Sequence, residues 1–260
     1  MSVCLIVTLF FIGLIGSFLS GMLGVGGAII NYPMVLFIPP MLGVGSFTAH
    51  EVSGMIAVQV LFATLSGVLA LRREKLINYR LVAFMGTSIV VGSFIGGFGS
   101  QLLSSSTVNF VYAFLATVAA VMMFIPKKGV LNAPTEEVQF NRLLAVICAL
   151  IVGTASGIVG AGGAFILVPI MLLFLKIPIR MTIASSLAIT FLSSIGSVGG
   201  KLLADHILIG PTIVIVIASI VAAPIGTVVS KKTNPRMLQA VMSVLILVTT
   251  LKIWSDILWE

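Results

Sequence analysis

The chain has 260 residues, of which 59% are hydrophobic and only 8% are charged. Soluble domains carry about 25% charged residues, so this composition excludes a soluble protein and predicts an all-α, polytopic membrane protein. The formal net charge of +7 does not indicate nucleic-acid binding, because the basic residues lie in short loops between apolar stretches, as the positive-inside bias produces.

The first apolar stretch, Val3–Ile38, is interrupted by four glycines between Gly21 and Gly27. Each glycine costs a helix about 1 kcal/mol relative to alanine, so the helix should open there and restart at Ala28. The arm after the break has about 11 residues, or about 16 Å at 1.5 Å per residue, which is half a membrane. Pro39 and Pro40 are expected to end this arm.

Three charge-free stretches follow, each long enough to cross a hydrocarbon core of about 30 Å: Val52–Leu71, Leu81–Gly99 and Thr107–Pro126. The segment 127–142 is the most polar part of the chain and contains Pro134. We interpret it as a cytoplasmic linker between a first membrane repeat, residues 1–126, and a second repeat, residues 143–260.

The second half repeats this plan with a glycine-broken stretch, Leu143–Leu175, and three further spans: Met181–Gly200, Ile207–Ser230 and Met237–Trp254. Around the two breaks, nine of 18 aligned positions are identical: Ser20/Ser156, Gly21/Gly157, Gly24/Gly160, Gly26/Gly162, Gly27/Gly163, Ala28/Ala164, Ile30/Ile166, Pro33/Pro169 and Leu36/Leu172. Corresponding breaks in two halves mark the binding site of many secondary transporters. The alignment offset between the halves changes from 136 at the breaks to 133 and then 130 in the later spans.

The positions of the basic residues predict that the two halves are inverted. The loop at 72–80 has four basic residues and its counterpart at 201–206 has one, whereas the loop at 100–106 has none and its counterpart at 231–236 has three. If basic loops face the cytoplasm, each half is a glycine-broken helix pair or hairpin with no net crossing plus three transmembrane helices. Both termini would then lie outside. Eight plain spans in two parallel repeats are the alternative.

The paired G-x-x-G-x-G-G-[AG]…P signatures, Gly21–Pro33 and Gly157–Pro169, resemble the sulfite exporter TauE/SafE family, also called the toluene sulfonate uptake permease family. The resemblance covers essentially the whole chain. It implies a multi-pass secondary transporter in the plasma membrane of a prokaryote. The substrate class would be small sulfur-containing anions: sulfite, or sulfonates such as taurine or sulfoacetate. It leaves the substrate and the direction of transport open.

The amide groups after each break predict an anion site, because the N-terminus of a helix attracts anions through its free N–H groups and its dipole. The candidate substrate-binding residues at the breaks are Gly24, Gly26, Gly27, Ala28, Gly160, Gly162, Gly163 and Ala164, and the candidate side-chain donors are Asn31, Ser53, Gln59, Ser185, Ser186, Thr190 and Ser193. Close helix packing by small residues is the alternative for the glycines.

Three ionisable residues near the ends of spans need separate interpretation. His50 and Glu51 are candidates for proton coupling, and a loop-exposed pair with no transport role is the alternative. Lys201 ends a span and is expected to snorkel to the surface.

Alternative functions are a passive anion channel and a non-transport membrane scaffold. The spans contain no paired carboxylates, metal-ligand cluster or nucleophile–base set, so we predict no enzymatic activity, no catalytic residue, no metal and no cofactor. The expected partners are the small anion, the lipid bilayer and, if transport is coupled, protons; nucleic acid is not expected. The sequence leaves the oligomeric state open.

Overall fold

The structure is a computed structural model, and it describes residues 1–24, 26–71, 76–124 and 141–259. These residues form ten α-helices and no strand: α1 (Val3–Leu23), α2 (Ala28–Met41), α3 (Ala49–Leu71), α4 (Tyr79–Gly99), α5 (Ser105–Phe124), α6 (Arg142–Val159), α7 (Ala164–Leu173), α8 (Ile179–Leu203), α9 (Ile209–Lys232) and α10 (Pro235–Trp259). A short 3₁₀ helix, Ser100–Leu102, follows α4. Seven helices in this part of the chain are long and apolar enough to cross a membrane. The predicted all-α, multi-pass class is therefore confirmed.

The prediction that Pro39 and Pro40 end the second arm is wrong, because α2 continues through both to Met41. A proline lacks an amide proton but keeps its carbonyl as an acceptor. The amide of Leu42 donates to Ile38 O, and the amides of Gly43 and Val44 donate to Pro40 O and Pro39 O. The last turn is therefore closed although two of its amides are missing. Most of the predicted linker at 127–142 lies outside the described residues.

The last three helices of each half repeat with a constant spacing of 130 residues. Helices α3 and α8 begin at residues 49 and 179, α4 and α9 at 79 and 209, and α5 and α10 at 105 and 235, each pair 130 apart, whereas α2 and α7 begin at 28 and 164, which are 136 apart. The predicted offset of 133 for α3 and α8 is therefore wrong. It came from chance matches of serine and glycine in spans that are rich in both.

Each broken segment of the two halves folds back on itself. The side chain of Asn31 lies against Gly16, position 27 lies next to Ser20, and Gly45 lies beside Leu5. As α2 advances, it therefore meets progressively earlier residues of α1, so the two helices form an antiparallel hairpin. In the second half, position 163 lies next to Ser156 and Val152 of α6. Such a hairpin makes no net crossing.

Each hairpin packs on the other half of the chain. Helix α1 lies along α9, with Gly13 next to Ile215 and Gly21 next to Ala223, so these helices run in the same direction. Helix α6 lies along α4 in the same way, and α4 lies along α8, where Ser93 Oγ donates to Ser193 O.

The directions of α1 and α6 follow from these contacts. Helix α6 runs with α4 and α8, α1 runs with α9, and a short turn at 204–208 joins α8 to an oppositely directed α9. The equivalent helices α1 and α6 therefore point in opposite directions. This supports the predicted inversion of the halves, and the orientation of each half in the membrane remains a prediction.

Reporter fusions can test that orientation. We expect fusions after residues 76, 132 and 234 to report the cytoplasmic side, and fusions after residues 103, 204 and 260 to report the outside. Basic loops at 72–80 and 231–236 resist translocation, which is the physical reason. Opposite locations for residues 76 and 234 would contradict the inverted arrangement and favour parallel repeats.

Candidate functional site

The two glycine breaks meet at one point in the middle of the bundle. A β-carbon at position 26 would lie 2.9 Å from Thr190 Cγ2 and 3.4 Å from Val60 Cγ1. A β-carbon at position 162 would lie 2.7 Å and 3.0 Å from the same two methyl groups. Both glycines have positive φ, 76° and 64°, which glycine adopts without steric cost. The chain therefore needs glycine at these positions both for its conformation and for the close approach.

Two half-helices begin at this meeting point. The first helical hydrogen bonds of α2 run from the amides of Ile30 and Asn31 to Gly27 O, and those of α7 run from Ile166 and Leu167 to Gly163 O. The amides at the start of each helix precede these bonds, and such groups have no partner within their own helix. The helix dipole adds about half a positive charge at each N-terminus. The start of each half-helix therefore favours an anion without a charged side chain.

A group of polar side chains, four from the first half and Ser219 from α9 of the second, lies beside this point. Ser17 Oγ accepts a hydrogen bond of 2.8 Å from Gln59 Nε2 and donates one of 2.6 Å to Ser219 Oγ. Gln59 Nε2 also lies 3.0 Å from where a β-carbon of residue 27 would be. Ser17, Gln59, Ser219 and Asn31 are completely buried. We call these four residues with Ser20 the polar cluster.

Several atoms at or beside the centre are buried without a hydrogen-bond partner. They are Ser20 Oγ, both amide atoms of Asn31, Gln59 Oε1 and Thr190 Oγ1, and Ser193 Oγ, about one turn farther along α8, is also unpaired. Leaving a buried polar group unpaired costs about 1–3 kcal/mol, and buried polar groups are normally satisfied. Because these unpaired atoms lie where two half-helices begin, this region is the candidate binding site.

The two amide side chains of the polar cluster, Asn31 and Gln59, have no polar equivalent in the second half. Leu167 occupies the position that corresponds to Asn31 at the offset of 136, and Ile189 corresponds to Gln59 at the offset of 130. Both side chains are completely buried. The backbone at the centre is therefore nearly two-fold symmetric, whereas its side-chain chemistry is polar on one side and apolar on the other.

Three predicted serine donors lie away from the centre and bond to other elements. Ser53 Oγ donates to Ile158 O at 3.0 Å, Ser186 Oγ donates to Gly24 O at 2.8 Å, and Ser185 Oγ accepts from the amide of Asn78 at 3.0 Å. Ile158 and Gly24 lie at the tips of the two hairpins. Ser53 and Ser186 therefore fasten these tips to α3 and α8.

Gly24 and Gly160 end α1 and α6 as left-handed C-caps, with φ of 72° and 76°. A β-carbon at position 24 would lie 2.8 Å from Ile183 O, and one at position 160 would overlap Ser53 O. These two glycines permit the tips to touch α8 and α3, and their nearest contacts are with Ile183 and Ser53 rather than with Thr190.

His50 and Glu51 lie at one end of the bundle, near the tip of the α6–α7 hairpin. Glu51 Oε2 accepts hydrogen bonds from the amide and the hydroxyl of Thr48, at 2.7 and 2.9 Å, while Thr48 Oγ1 accepts from the amide of Glu51. This reciprocal pair is a capping box. The ring of His50 stacks on that of His206, with centroids 4.7 Å apart.

The expectation that Lys201 snorkels is wrong, because its side chain is completely buried. Its ammonium donates to Ser100 Oγ and to Ile158 O, both at 2.8 Å. Ile158 lies in the last turn of α6, whose carbonyls attract a cation. The Lys201 side chain therefore turns inward from α8 and binds the tip of the α6–α7 hairpin.

Two broken hairpins that meet at the middle of a multi-pass bundle are typical of membrane transporters. The model of the family described as "Sulfite exporter TauE/SafE" matches residues 9–253, and the chain belongs to this family of membrane transporters. No solved structure matches the chain.

Curated relatives resemble the chain over nearly its full length. It is 23% identical to the probable membrane transporter protein YunE of Bacillus subtilis, over 93% of this chain and 94% of that protein. It is 28% identical to the probable membrane transporter protein YjnA of the same organism, over 95% and 99% of the two chains. It is also 23% identical to the probable membrane transporter protein MJ0441 of Methanocaldococcus jannaschii, over 92% and 90%.

Proposed function

We propose that the protein carries a small sulfur-containing anion, sulfite or a sulfonate such as sulfoacetate or taurine, across the plasma membrane of a prokaryote by alternating access. The anion binds between the two glycine breaks. The observation that supports this most is the convergence of Gly26 and Gly162 on Val60 and Thr190, because it brings two helix N-termini to one place. The inverted repeats supply the two alternating openings.

The charge of the site suits such an anion. Two helix N-termini supply about one positive charge together, and the side chains that contact the breaks are neutral: Ser20, Gln59, Val60, Val152, Ser156, Ala164 and Thr190. A sulfonate head carries one negative charge and three oxygen acceptors. The amides at the breaks and the side-chain amides of Asn31 and Gln59 are the donors that bind those oxygens.

The breaks are closed in this conformation. The methyl groups of Val60 and Thr190 lie within 3.4 Å of the positions where β-carbons of residues 26 and 162 would be, so they fill the space next to the glycines. Binding of an anion therefore requires α3 and α8 to move apart, and such a movement of two central helices is a means of opening the site to one side at a time.

Flux measurements on proteoliposomes test the proposal. Sulfite, sulfoacetate, taurine, sulfate and thiosulfate would each be offered to the purified protein. We expect saturable uptake of at least one of the first three and counterflow when the vesicles are preloaded with it. Flux that does not saturate, without counterflow, would identify a passive channel. No flux of any of these anions would favour a scaffold.

The same vesicles test proton coupling. A membrane potential of about 100 mV is worth roughly 2.3 kcal/mol per charge, so export of an anion needs no coupling, whereas accumulation needs a co-transported cation. We propose a proton, with His50 and Glu51 as coupling residues. Glu51→Gln keeps the capping box, since glutamine serves at that position, and His50→Ala removes the ring.

We expect an inward proton gradient alone to drive accumulation in the wild type and to fail in at least one of these variants. If the gradient drives no accumulation in the wild type, proton symport is excluded. If it drives accumulation equally in both variants, coupling is retained but does not use this pair.

A further inference from the structure

The end of the bundle at the tip of α6 carries three basic side chains, two histidines and a lysine. His50 from α3 stacks on His206 from the turn after α8, and His50 Nε2 lies 3.1 Å from Leu103 O. The ammonium of Lys201 is buried beside them on Ser100 and Ile158. We call Lys201, His50 and His206 the basic cluster.

A cavity occupies the equivalent place at the other end of the bundle. It has a volume of about 20 Å³ and is lined by Leu71, Leu76, Arg180, Ile183, Thr227 and Ser230. At the repeat spacing of 130 residues, each of these six residues has an equivalent in the other half. In the same order, the equivalents are Lys201, His206, His50, Ser53, Gly97 and Ser100. The cavity and the basic cluster are therefore the same location in the two halves.

The correspondence is chemical as well as geometric. Arg180 gives the cavity one cation, and the basic cluster places a buried ammonium and two imidazoles at the equivalent end. Ser230 lines the cavity at the position of Ser100, which accepts from Lys201. The lysine side chain itself stands where Leu71 lies at the other end, so each end combines cations with a serine hydroxyl.

The basic cluster has unused hydrogen-bonding capacity. An ammonium has three donors, and two of those of Lys201 are directed at Ser100 and Ile158. Because His50 Nε2 faces a carbonyl oxygen, the proton of the neutral ring is on that nitrogen. The Nδ1 atoms of His50 and His206 are both buried without a partner. Once protonated, each Nδ1 is a further donor.

Charges of both signs lie around His206. Burial and the nearby charges of Lys201 and His50 lower the pKa of His206, and Asp205 raises it. Asp205 is exposed, and Glu51 is held by Thr48. The Ser100 hydroxyl and the Leu103 and Ile158 carbonyls beside the cluster do not titrate near neutral pH. A bound anion would give the ammonium of Lys201 the charged partner that its two hydrogen-bond acceptors do not supply.

We propose that Lys201, His50 and His206 form a second anion-binding site, which holds a small oxoanion between the solution and the central breaks. The Arg180 cavity is its counterpart at the opposite end. Lys201 and the protonated Nδ1 atoms donate to the oxygens of the anion. The inference takes the class of anion from the proposed function, but binding at this place does not depend on transport.

Linkage gives the pH dependence of this site. An anion stabilises the protonated imidazole, so it raises the pKa of His206 from its lowered value, and protonation in turn strengthens anion binding. Affinity should therefore rise as the pH falls through the pKa of the anion-bound state. It should level off below the pKa of the free state.

The two histidines are the only ones in the chain, so histidine resonances report on this site alone. The full chain, labelled with ¹³C,¹⁵N-histidine in lipid nanodiscs, would be titrated with sulfoacetate and with sulfate, with sodium chloride at equal ionic strength as reference. We expect saturable shifts of both rings and a higher pKa of His206 with the anion bound. No saturable shift, or an unchanged pKa, overturns the proposal.

Variants separate anion binding from a purely structural role of Lys201 at the end of α6. Lys201→Met keeps the length of the side chain and should lower the affinity measured from the saturable shift about tenfold or more. Lys201→Arg should largely restore this affinity. Lys232→Met removes an exposed lysine and should change nothing. Equal affinity in Lys201→Met and the wild type overturns the proposal.

Failure of this inference is distinguishable from failure of the proposed function. Counterflow in vesicles without any histidine shift would reject the second site and keep the central one. Histidine shifts without flux of any anion would keep the second site and reject the proposed transport through the central one.

Discussion

Thr190→Val should lower the affinity for the transported anion about tenfold or more without lowering the melting temperature of the protein. Thr190 Oγ1 is buried without a partner, so removing this atom relieves a cost of about 1–3 kcal/mol in the folded state. An anion that uses this atom loses the contact. Loss of binding without loss of stability is the signature of a binding residue. Gln59→Met should lower the affinity as much, but it also removes the hydrogen bond from Gln59 Nε2 to Ser17 Oγ, so its melting temperature should fall.

The matched control for Thr190→Val is Thr64→Val. Thr64 is also completely buried, on α3, but its Oγ1 donates to Val60 O within the helix. This variant should leave anion affinity unchanged. Isothermal titration and thermal unfolding in the same detergent measure both quantities. If Thr190→Val loses stability and keeps its affinity, the hydroxyl has a structural role and the central site is misplaced.

Gly162→Leu should abolish transport, as should Gly26→Leu, because a side chain at either position enters the space in which the breaks meet. Part of this loss of transport would come from destabilisation of the fold, which has to be separated from the loss of anion binding. Gly162→Ala alone would place a β-carbon 2.7 Å from Thr190 Cγ2, and its left-handed backbone costs a non-glycine residue about 1–2 kcal/mol. We expect this variant to be clearly destabilised.

Two further variants separate the cost of the left-handed backbone from the cost of the close contact with Thr190. Gly43→Ala has a similar φ of 66° with no atom within 4 Å, so it measures the backbone cost alone. Thr190→Ser removes the methyl group that position 162 would meet, so Gly162→Ala should be less damaging in that background, a non-additive effect. Equal melting temperatures for Gly162→Ala and Gly43→Ala would show that the breaks do not touch Thr190 in the folded protein.

Much of the fold could be predicted from the sequence because glycine and charge act locally. The restart of both half-helices at Ala28 and Ala164 follows from glycine's poor helix propensity, and the structure places the starts there. The number and extent of the long helices followed from their hydrophobicity. The end of α2 did not, since the effect of a proline depends on whether its carbonyl finds a donor in the next turn.

The side chains of the site were harder to predict. Asn31, Gln59 and Thr190 were named and lie at the centre, whereas Ser53, Ser185 and Ser186 were named and bond to backbone elsewhere. A serine in a membrane helix has no pattern that separates these two uses. Ser20 could have been predicted as part of the site, because it belongs to the aligned glycine breaks. The burial of Lys201 could not be predicted, because it depends on the tip of α6 reaching α8.

The exchange of partners between the halves has a consequence for how the protein assembles during synthesis. Ser17 of α1 bonds to Ser219 of α9, 202 residues later. Gly92 and Gly96 of α4 face the backbone of α6, and a β-carbon at position 92 would lie 2.5 Å from Leu150 O. The ribosome therefore delivers a first half whose small-residue surfaces have no partner yet. In the finished chain each half completes the other, as in a domain swap within a single polypeptide. Neither half therefore completes its own packing, and α1 can close on α9 only after α9 has been synthesised.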